Sequence, residues 1–238
     1  MARSIDHPPP APPAAIGELD GLAYTLWLPE GPPRGSVVVV HGADSRKENH
    51  QPFARALRDA GVAAVVYDQR GHGASRGALD DRVLDDVRTM ATLLPPGPIG
   101  LRGTSMGGYV VLRVARRMGA AAVVAICPAP AALLAHGLAH DEFNFAVDRP
   151  AVLELLAHDD LEAEVAGLDA PLLLMHARGD ERVPVAGTEA LAALAPAARL
   201  IVTPGGHHRS IQQDAELQGE AVRFLTRALR RAARTTGR

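Results

Sequence analysis

Gly103-Thr104-Ser105-Met106-Gly107 is the stretch on which the fold of this chain turns. An apolar run, Pro98-Ile99-Gly100-Leu101-Arg102, leads into it with strand-like character. Tyr109-Val110-Val111-Leu112-Arg113-Val114-Ala115-Arg116-Arg117 leads out with helical character. Between them lies G-x-S-x-G, followed by one more glycine, Gly108. A strand ends, the chain turns sharply and a helix begins, the context in which a serine hydroxyl is held above a sheet edge as a nucleophile. Glycines flank the serine because side chains at 103 and 107 would collide in so tight a turn. The helix that follows aims unpaired backbone N–H groups at any charge forming there. The pentapeptide alone fits equally well a glycine-rich turn that carries a serine by chance. The rest of the chain separates the two.

Upstream, Leu22 to Leu28 alternates and stops at Pro29, as an antiparallel strand does. Ser36 to Val40 is a β-branched run of the kind buried on both faces, and it ends at His41-Gly42-Ala43-Asp44. Gln51 to Ala60 has helical spacing with Gly61 placed as C-cap. Val62 to Tyr67 is another buried strand, running into Asp68-Gln69-Arg70-Gly71-His72-Gly73-Ala74-Ser75. Leu79 to Leu94 reads as one amphipathic helix closed by Pro95-Pro96. Downstream, Ala120–Ile126, Pro171–Met175 and Arg199–Val202 read as strands, Val185–Leu194 as a helix, and Ile211 to about Arg234 as a long helix with a basic tail. From Pro128 to about Ala170 the pattern breaks into short helical pieces with no strand.

Strands alternating with helices imply right-handed crossovers and a mostly parallel central sheet with helices on both faces, the α/β class. Sites in such sheets form where loops leave the carboxyl ends of the strands. The expected organisation is a disordered Pro-rich lead-in over residues 1–15 and one domain over residues 16–238. A short helical cap is expected as an insertion at about 128–170, over the site.

Composition bounds the partners. The 238 residues are 47% hydrophobic and 22% charged, enough for a large core. A net charge of −2 favours neither nucleic acid nor an anionic membrane, and 3% aromatic residues leave no base-stacking platform. The single cysteine, Cys127, excludes an internal disulfide and fits a reducing compartment. Met1 to Pro13 carries five prolines and no apolar core of signal-peptide length, and the longest uncharged stretch, Met118 to Ala135, is broken by Pro128 and Pro130. A cytoplasmic protein is expected. Composition leaves the oligomeric state open.

Beyond the serine, two further groups emerge at carboxyl ends of strands. Asp180 lies in His176-Ala177-Arg178-Gly179-Asp180-Glu181-Arg182-Val183-Pro184, and His207-His208 in Pro204-Gly205-Gly206-His207-His208-Arg209. A serine nucleophile needs a base to take its proton and an acid to orient that base, and Ser, Asp, His in this order supplies both. With His41-Gly42, Asp68-x-Arg70-Gly71-x-Gly73-x-Ser75 and Gly179-Asp180-x-x-Val183-Pro184, the chain resembles the α/β-hydrolase superfamily over roughly Leu19 to Arg230. It is most similar to small esterase-like members with a minimal cap.

The resemblance implies Ser105 as nucleophile, Asp180 as acid and a histidine at 207 or 208 as base. Members of this type place that histidine four residues after the last strand residue, which from Pro204 is His208, the preferred position; His207 fits a shorter turn. The resemblance also implies an oxyanion hole made by the backbone N–H groups of Met106 and Ala43, each such donor contributing about 3 kcal/mol to transition-state stabilisation. His41 reads as a structural hydrogen-bonder, Asp68 and Arg70 as braces of their loop, and Glu181 as a second choice for the acid. His136, His140 and His158, with Asp141, Glu142, Asp159 and Asp160 beside them, fit a solvated cap surface better than a metal site. Cys127 is placed to line an acyl pocket.

The expected function is that of a serine hydrolase, a carboxylesterase cleaving small carboxylic esters, with a small-molecule ester as its partner. No cofactor or metal is implied, because side chains and main-chain amides complete the chemistry. Thioester, lactone and amide cleavage, acyl transfer, and a ligand-binding role remain alternatives that one triad can serve.

Overall fold

The computed structural model of the chain describes residues 12–236. The lead-in expected over residues 1–15 therefore lies outside the described residues as far as residue 11, and its last residue, Ala15, already belongs to a strand. Eight strands form one sheet: β1 (Ala15–Leu19), β2 (Leu22–Trp27), β3 (Ser36–Val40), β4 (Ala63–Tyr67), β5 (Ile99–Thr104), β6 (Ala122–Ile126), β7 (Leu172–Ala177) and β8 (Arg199–Thr203). Their order is β1-β2-β4-β3-β5-β6-β7-β8, with β1 and β2 antiparallel and every pairing from β4 onward parallel. This is the α/β architecture expected.

Sequence periodicity explains how the sheet buries itself. In β3 the valines alternate: Val38 and Val40 enter the larger core on one face, Val37 and Val39 the smaller core on the other. All five residues of β3, β4 and β6 are buried, so these strands carry apolar runs rather than an in–out pattern. Helices α1 (Gln51–Asp59) and α9 (Ala215–Thr236) cover one face. Helices α2 (Val83–Ala91) and α3 (Met106–Ala115) cover the other, and Gly61 with φ 77° ends α1 as expected.

Three elements differ from the sequence reading. The β1–β2 hairpin was not expected, and it turns on Asp20-Gly21 with φ 52° and 78°, the left-handed pair that a two-residue hairpin demands. The helix expected from Leu79 begins only at Val83, because Asp80 Oδ1 accepts from the Arg82 N–H at 3.0 Å and Leu79 pairs in parallel with Val147. The last helix is two: α8 (Ser210–Gln213) and α9, broken at Asp214 (ψ 115°), whose Oδ1 accepts from Leu217 N at 2.9 Å as an N-cap.

Between β6 and β7 lie α4 (Ala131–Ala139), α5 (Arg149–Ala157) and α6 (Leu161–Ala166). The extended stretch joining α4 to α5 is strapped to the loops of the sheet's carboxyl edge. Leu79 N donates to Ala146 O at 2.8 Å, Asp148 N to Leu79 O at 2.8 Å, and Asn144 N to Asp44 Oδ1 at 2.7 Å. A Cβ at Gly71 would run into the Ala146 carbonyl, so this close approach requires glycine. Asp159 and Asp160 do not lie free on a surface: both pair with buried Arg113 of α3, at 3.0 and 2.7 Å. Arg102 on β5 is buried; it reaches His50 Nδ1 at 2.7 Å and Gln218 Oε1 at 3.2 Å, over the face of Phe53. Among the described residues no helix is long and apolar enough to cross a membrane.

Candidate active site

The turn from β5 to α3 holds Ser105 at φ 53°, ψ −119°, a conformation a non-glycine residue adopts only where the surroundings enforce it. The surroundings here are backbone: Ser105 N donates to Ile126 O at 2.8 Å, and Ser105 O accepts from Tyr109 N at 3.0 Å and Ala129 N at 3.2 Å. A Cβ at Gly103 would strike the Gly107 carbonyl, and one at Gly107 would strike the carbonyls of Val40 and His41. The flanking glycines thus let the elbow pack against β3 and against itself. Met106 is the first residue of α3, so its N–H has no intrahelical acceptor.

Ala43, the other expected oxyanion donor, borders the same cavity as Ser105. Its loop is pinned on two sides. His41 Nε2 accepts from Gln69 N at 3.0 Å, so the proton sits on Nδ1, which donates to Gly42 O at 2.7 Å. Burial, with His72 beside it, pulls the His41 pKa down to about 4, and the ring is a neutral strut. Asp68 accepts from Lys47 Nζ and Lys47 N, both at 2.7 Å, and from Ala74 N at 2.9 Å. Arg70 pairs with Asp86 at 2.8 Å and with Asp20 at 3.0 Å.

Asp180 follows β7 and its side chain is fully buried. Oδ1 accepts from Arg182 N and Val183 N, both at 2.9 Å, and Oδ2 accepts from His208 Nδ1 at 2.7 Å. Burial works to raise the carboxyl pKa, but hydrogen bonds from His176, His208 and the two main-chain amides hold it well below the usual carboxylate range. Glu181, the other carboxylate weighed, is exposed and does not meet His208. His207 is also exposed, and its Nδ1 accepts from Arg209 N at 3.2 Å. The strand before them ends at Thr203, so counting four residues on points to His207; the histidine that meets Asp180 is His208.

Ser105 and His208 face one cavity of about 570 Å³. Leu133, Leu134 and Phe143 form an apolar wall, and Asn49, Gln212 and Gln213 a polar one. Behind Leu134 and Phe143 lies a small apolar slot of about 20 Å³. Cys127 is not on the cavity wall as expected: it is fully buried, with its sulfur within 4.8 Å of Asp180 and His176.

Sequence reasoning passed over His176, a lone polar residue in the apolar strand β7, four positions before Asp180; that spacing was the available signal. Cys127, His176 and Asp180 bring their heteroatoms within 4.8 Å of one another. The lone pairs are taken, however. His176 Nε2 carries a proton directed at Val183 O, 2.9 Å away, and burial pushes the Cys127 thiol far up. On α4 and α5, His140 Nδ1 meets His136 O and His158 Nδ1 meets Glu154 O, both at 2.9 Å, so each finishes its own helix.

The family described as serine aminopeptidase, S33, matches residues 31–149, half of the chain, including the elbow and stopping short of Asp180. A monoacylglycerol lipase of Mycolicibacterium smegmatis is 27% identical over 239 residues, 79% of this chain and 85% of that protein. Monoglyceride lipase of Homo sapiens is 34% identical over 108 residues, 41% of this chain and 36% of its own length. Among solved structures, a monoacylglycerol lipase of Paleococcus ferrophilus superposes with TM-score 0.70 at 21% identity, over 89% of this chain and 99% of the other. An enol-lactonase of Burkholderia xenovorans LB400 superposes with TM-score 0.70 at 20% identity, over 89% and 100%. At such identities the superpositions speak for the fold.

Proposed function

This chain belongs to the serine aminopeptidase S33 family of α/β-hydrolases, and from that membership we propose that it is a serine carboxylesterase acting on small amphipathic esters. The observation that carries the reading is the 2.7 Å hydrogen bond between His208 Nδ1 and Asp180 Oδ2, beside the cavity that Ser105 faces. With Nδ1–H held by the carboxylate, Nε2 is left as the base.

His208 takes the Ser105 proton as Oγ attacks the ester carbonyl. The N–H groups of Met106 and Ala43 hold the oxyanion. His208 then returns the proton to the leaving alcohol, which departs. Water enters the same path, loses its proton to His208 and attacks the acyl group on Ser105, releasing the acid. Asp180 stays ionised and holds the imidazole in one tautomer throughout. The apolar wall at Leu133, Leu134 and Phe143 suits an acyl chain, and the polar wall at Asn49, Gln212 and Gln213 suits a hydroxyl-bearing alcohol. Monoacylglycerols combine these two halves, and the lipases named among the relatives support that choice of substrate.

The test is hydrolysis of p-nitrophenyl esters of two to twelve carbons, and of monoacylglycerols, by wild type and Ser105→Ala. Turnover that disappears with the hydroxyl is expected, and the chain-length profile sizes the apolar wall. Equal inertness of both proteins would move the reading to thioesters, amides or acyl transfer.

A further inference from the structure

The strap between α4 and α5 meets two functional groups within two residues. Phe143 lines the cavity on its apolar side, and the next residue, Asn144, donates its N–H to Asp44 Oδ1 at 2.7 Å. Asp44 directly follows Ala43, the second oxyanion donor of the mechanism. It stands at φ 53°, in the left-handed region that aspartate enters more readily than most side chains. The loop around it is pinned before and after. Gln69 Nε2 donates to His41 O and Lys47 N to Asp68 Oδ1, both at 2.7 Å. Gly42 leans on the elbow, where a Cβ would come within 3.1 Å of Ser105 Cβ. Between these pins, the bond from Asn144 ties the loop to the strap. Further along the strap, Ala146 N donates to Gly71 O at 3.3 Å and fixes it to the sheet's edge. The acid's side of the cavity is built separately, by Glu181, Arg182 and Val183 in the turn that enters α7 (Val185–Leu194). Among the described residues, neither that turn nor the loop with His208 exchanges a hydrogen bond with residues 141–148. The strap therefore acts on the oxyanion side of the site and not on the base.

We propose that Asp44 is a positioning residue that couples the acyl wall to the oxyanion hole, so that an acyl chain packed on Phe143 raises turnover as well as affinity. The proposal rests on the esterase reading, with Ala43 as a donor. Binding energy from a part of the substrate that does not react speeds the reaction only when it is directed to geometry at the reacting carbon. A chain pressed against Phe143 steadies the strap. The strap holds the Asp44 carboxylate through Asn144, and the carboxylate fixes the backbone that aims the Ala43 N–H. A donor fixed in place stabilises the oxyanion more than one that drifts. The oxyanion forms when the serine attacks the ester and again when water attacks the acyl-enzyme, so kcat reads the coupling whichever step is slower. Asp44 and Asn144 are both exposed, where a hydrogen bond adds little to global stability. Cutting this one is therefore a kinetic change rather than a folding one.

The experiment measures kcat and KM separately on p-nitrophenyl esters of two and eight carbons for wild type, Asp44→Asn, Asp44→Gly and Asp44→Ala. In wild type, kcat should be at least about fivefold higher on the longer ester. Asp44→Gly keeps the left-handed backbone but loses the acceptor, and its ratio of the two kcat values should fall to about one. Asp44→Asn keeps a side-chain oxygen and tolerates the same backbone, so it should keep the wild-type ratio. Asp44→Ala loses the acceptor and also strains the backbone, so its kcat should lie below that of Asp44→Gly on both esters. A wild-type preference carried by KM alone, or an Asp44→Gly ratio equal to that of wild type, would overturn the proposal. So would an Asp44→Asn ratio as low as that of Asp44→Gly, or an Asp44→Ala kcat no lower than that of Asp44→Gly. Turnover that survives Ser105→Ala would instead overturn the serine esterase reading, and this proposal with it.

Discussion

At the scale of single residues, the adjacent histidines give the sharpest test. His208 meets Asp180 and His207 faces solvent, so His208→Ala should lower kcat by several orders of magnitude, as loss of a triad member does, while His207→Ala should cost far less. Steady-state kinetics on one ester decides it, and the reverse ranking would reassign the base. The turn that holds Ser105 and the placement of Asp180 were legible because their signals are local: glycines that only a tight turn requires, and a carboxylate at a strand's carboxyl end. The choice between 207 and 208 was not legible, because β8 ends one residue earlier than the count assumed. Cys127 misled because a residue at a strand end can face the cavity or the layer behind it, and the pattern along β6 does not say which. With φ 45° its side chain leaves the strand's alternation altogether.

At the scale of elements, capping explains what periodicity alone could not. Hydrophobic spacing runs through Asp214 without a break, yet the aspartate starts a new helix by accepting from Leu217 N. Asp214→Ala should lower stability by about 1 kcal/mol, read as a shift in the urea midpoint at constant slope. An unchanged midpoint would mean that packing of α9, not its cap, fixes the break. The strap between α4 and α5 gives a second expectation. The Phe143 ring lies 2.7 Å from where a Cβ on Gly137 would stand, so a bare patch on α4 seats it. Gly137→Ala should push the ring towards the cavity and shift the ester preference to shorter acyl chains; the p-nitrophenyl series reads this directly. The Asp20-Gly21 hairpin was legible in principle, since that pair is the strongest short-range turn signal, but the proline-rich stretch before it drew the reading towards disorder.

At the scale of the whole molecule, the mostly parallel sheet with helices on both faces followed from alternation, and the buried polar layer beneath the loops did not. His41, His50 and His72 are all buried; their rings stand 6.4 Å (His41–His50) and 5.0 Å (His41–His72) apart. Burial lowers the pKa of each, His41 to about 4. A histidine whose folded pKa lies below its ordinary 6.5 adds stability that is full above 6.5 and is lost as the pH falls from there towards the folded value. The melting temperature should therefore decline between pH 6.5 and about 4, before carboxylate titration dominates. A flat melting curve across that window would mean these rings take up protons as readily in the fold as in the unfolded chain.

The sheet order also has a kinetic reading. Ser105 follows β5, which is clasped by β3 and β6, whereas His208 follows β8, an edge strand paired only to β7. During synthesis the chain emerges N-terminus first, so Ser105 is made long before His208, the proposed base. On the proposed triad, turnover cannot begin until the farthest strand has docked. Recovered activity during refolding is thus a clock for the completion of the sheet's edge, and it should lag behind the return of helical signal.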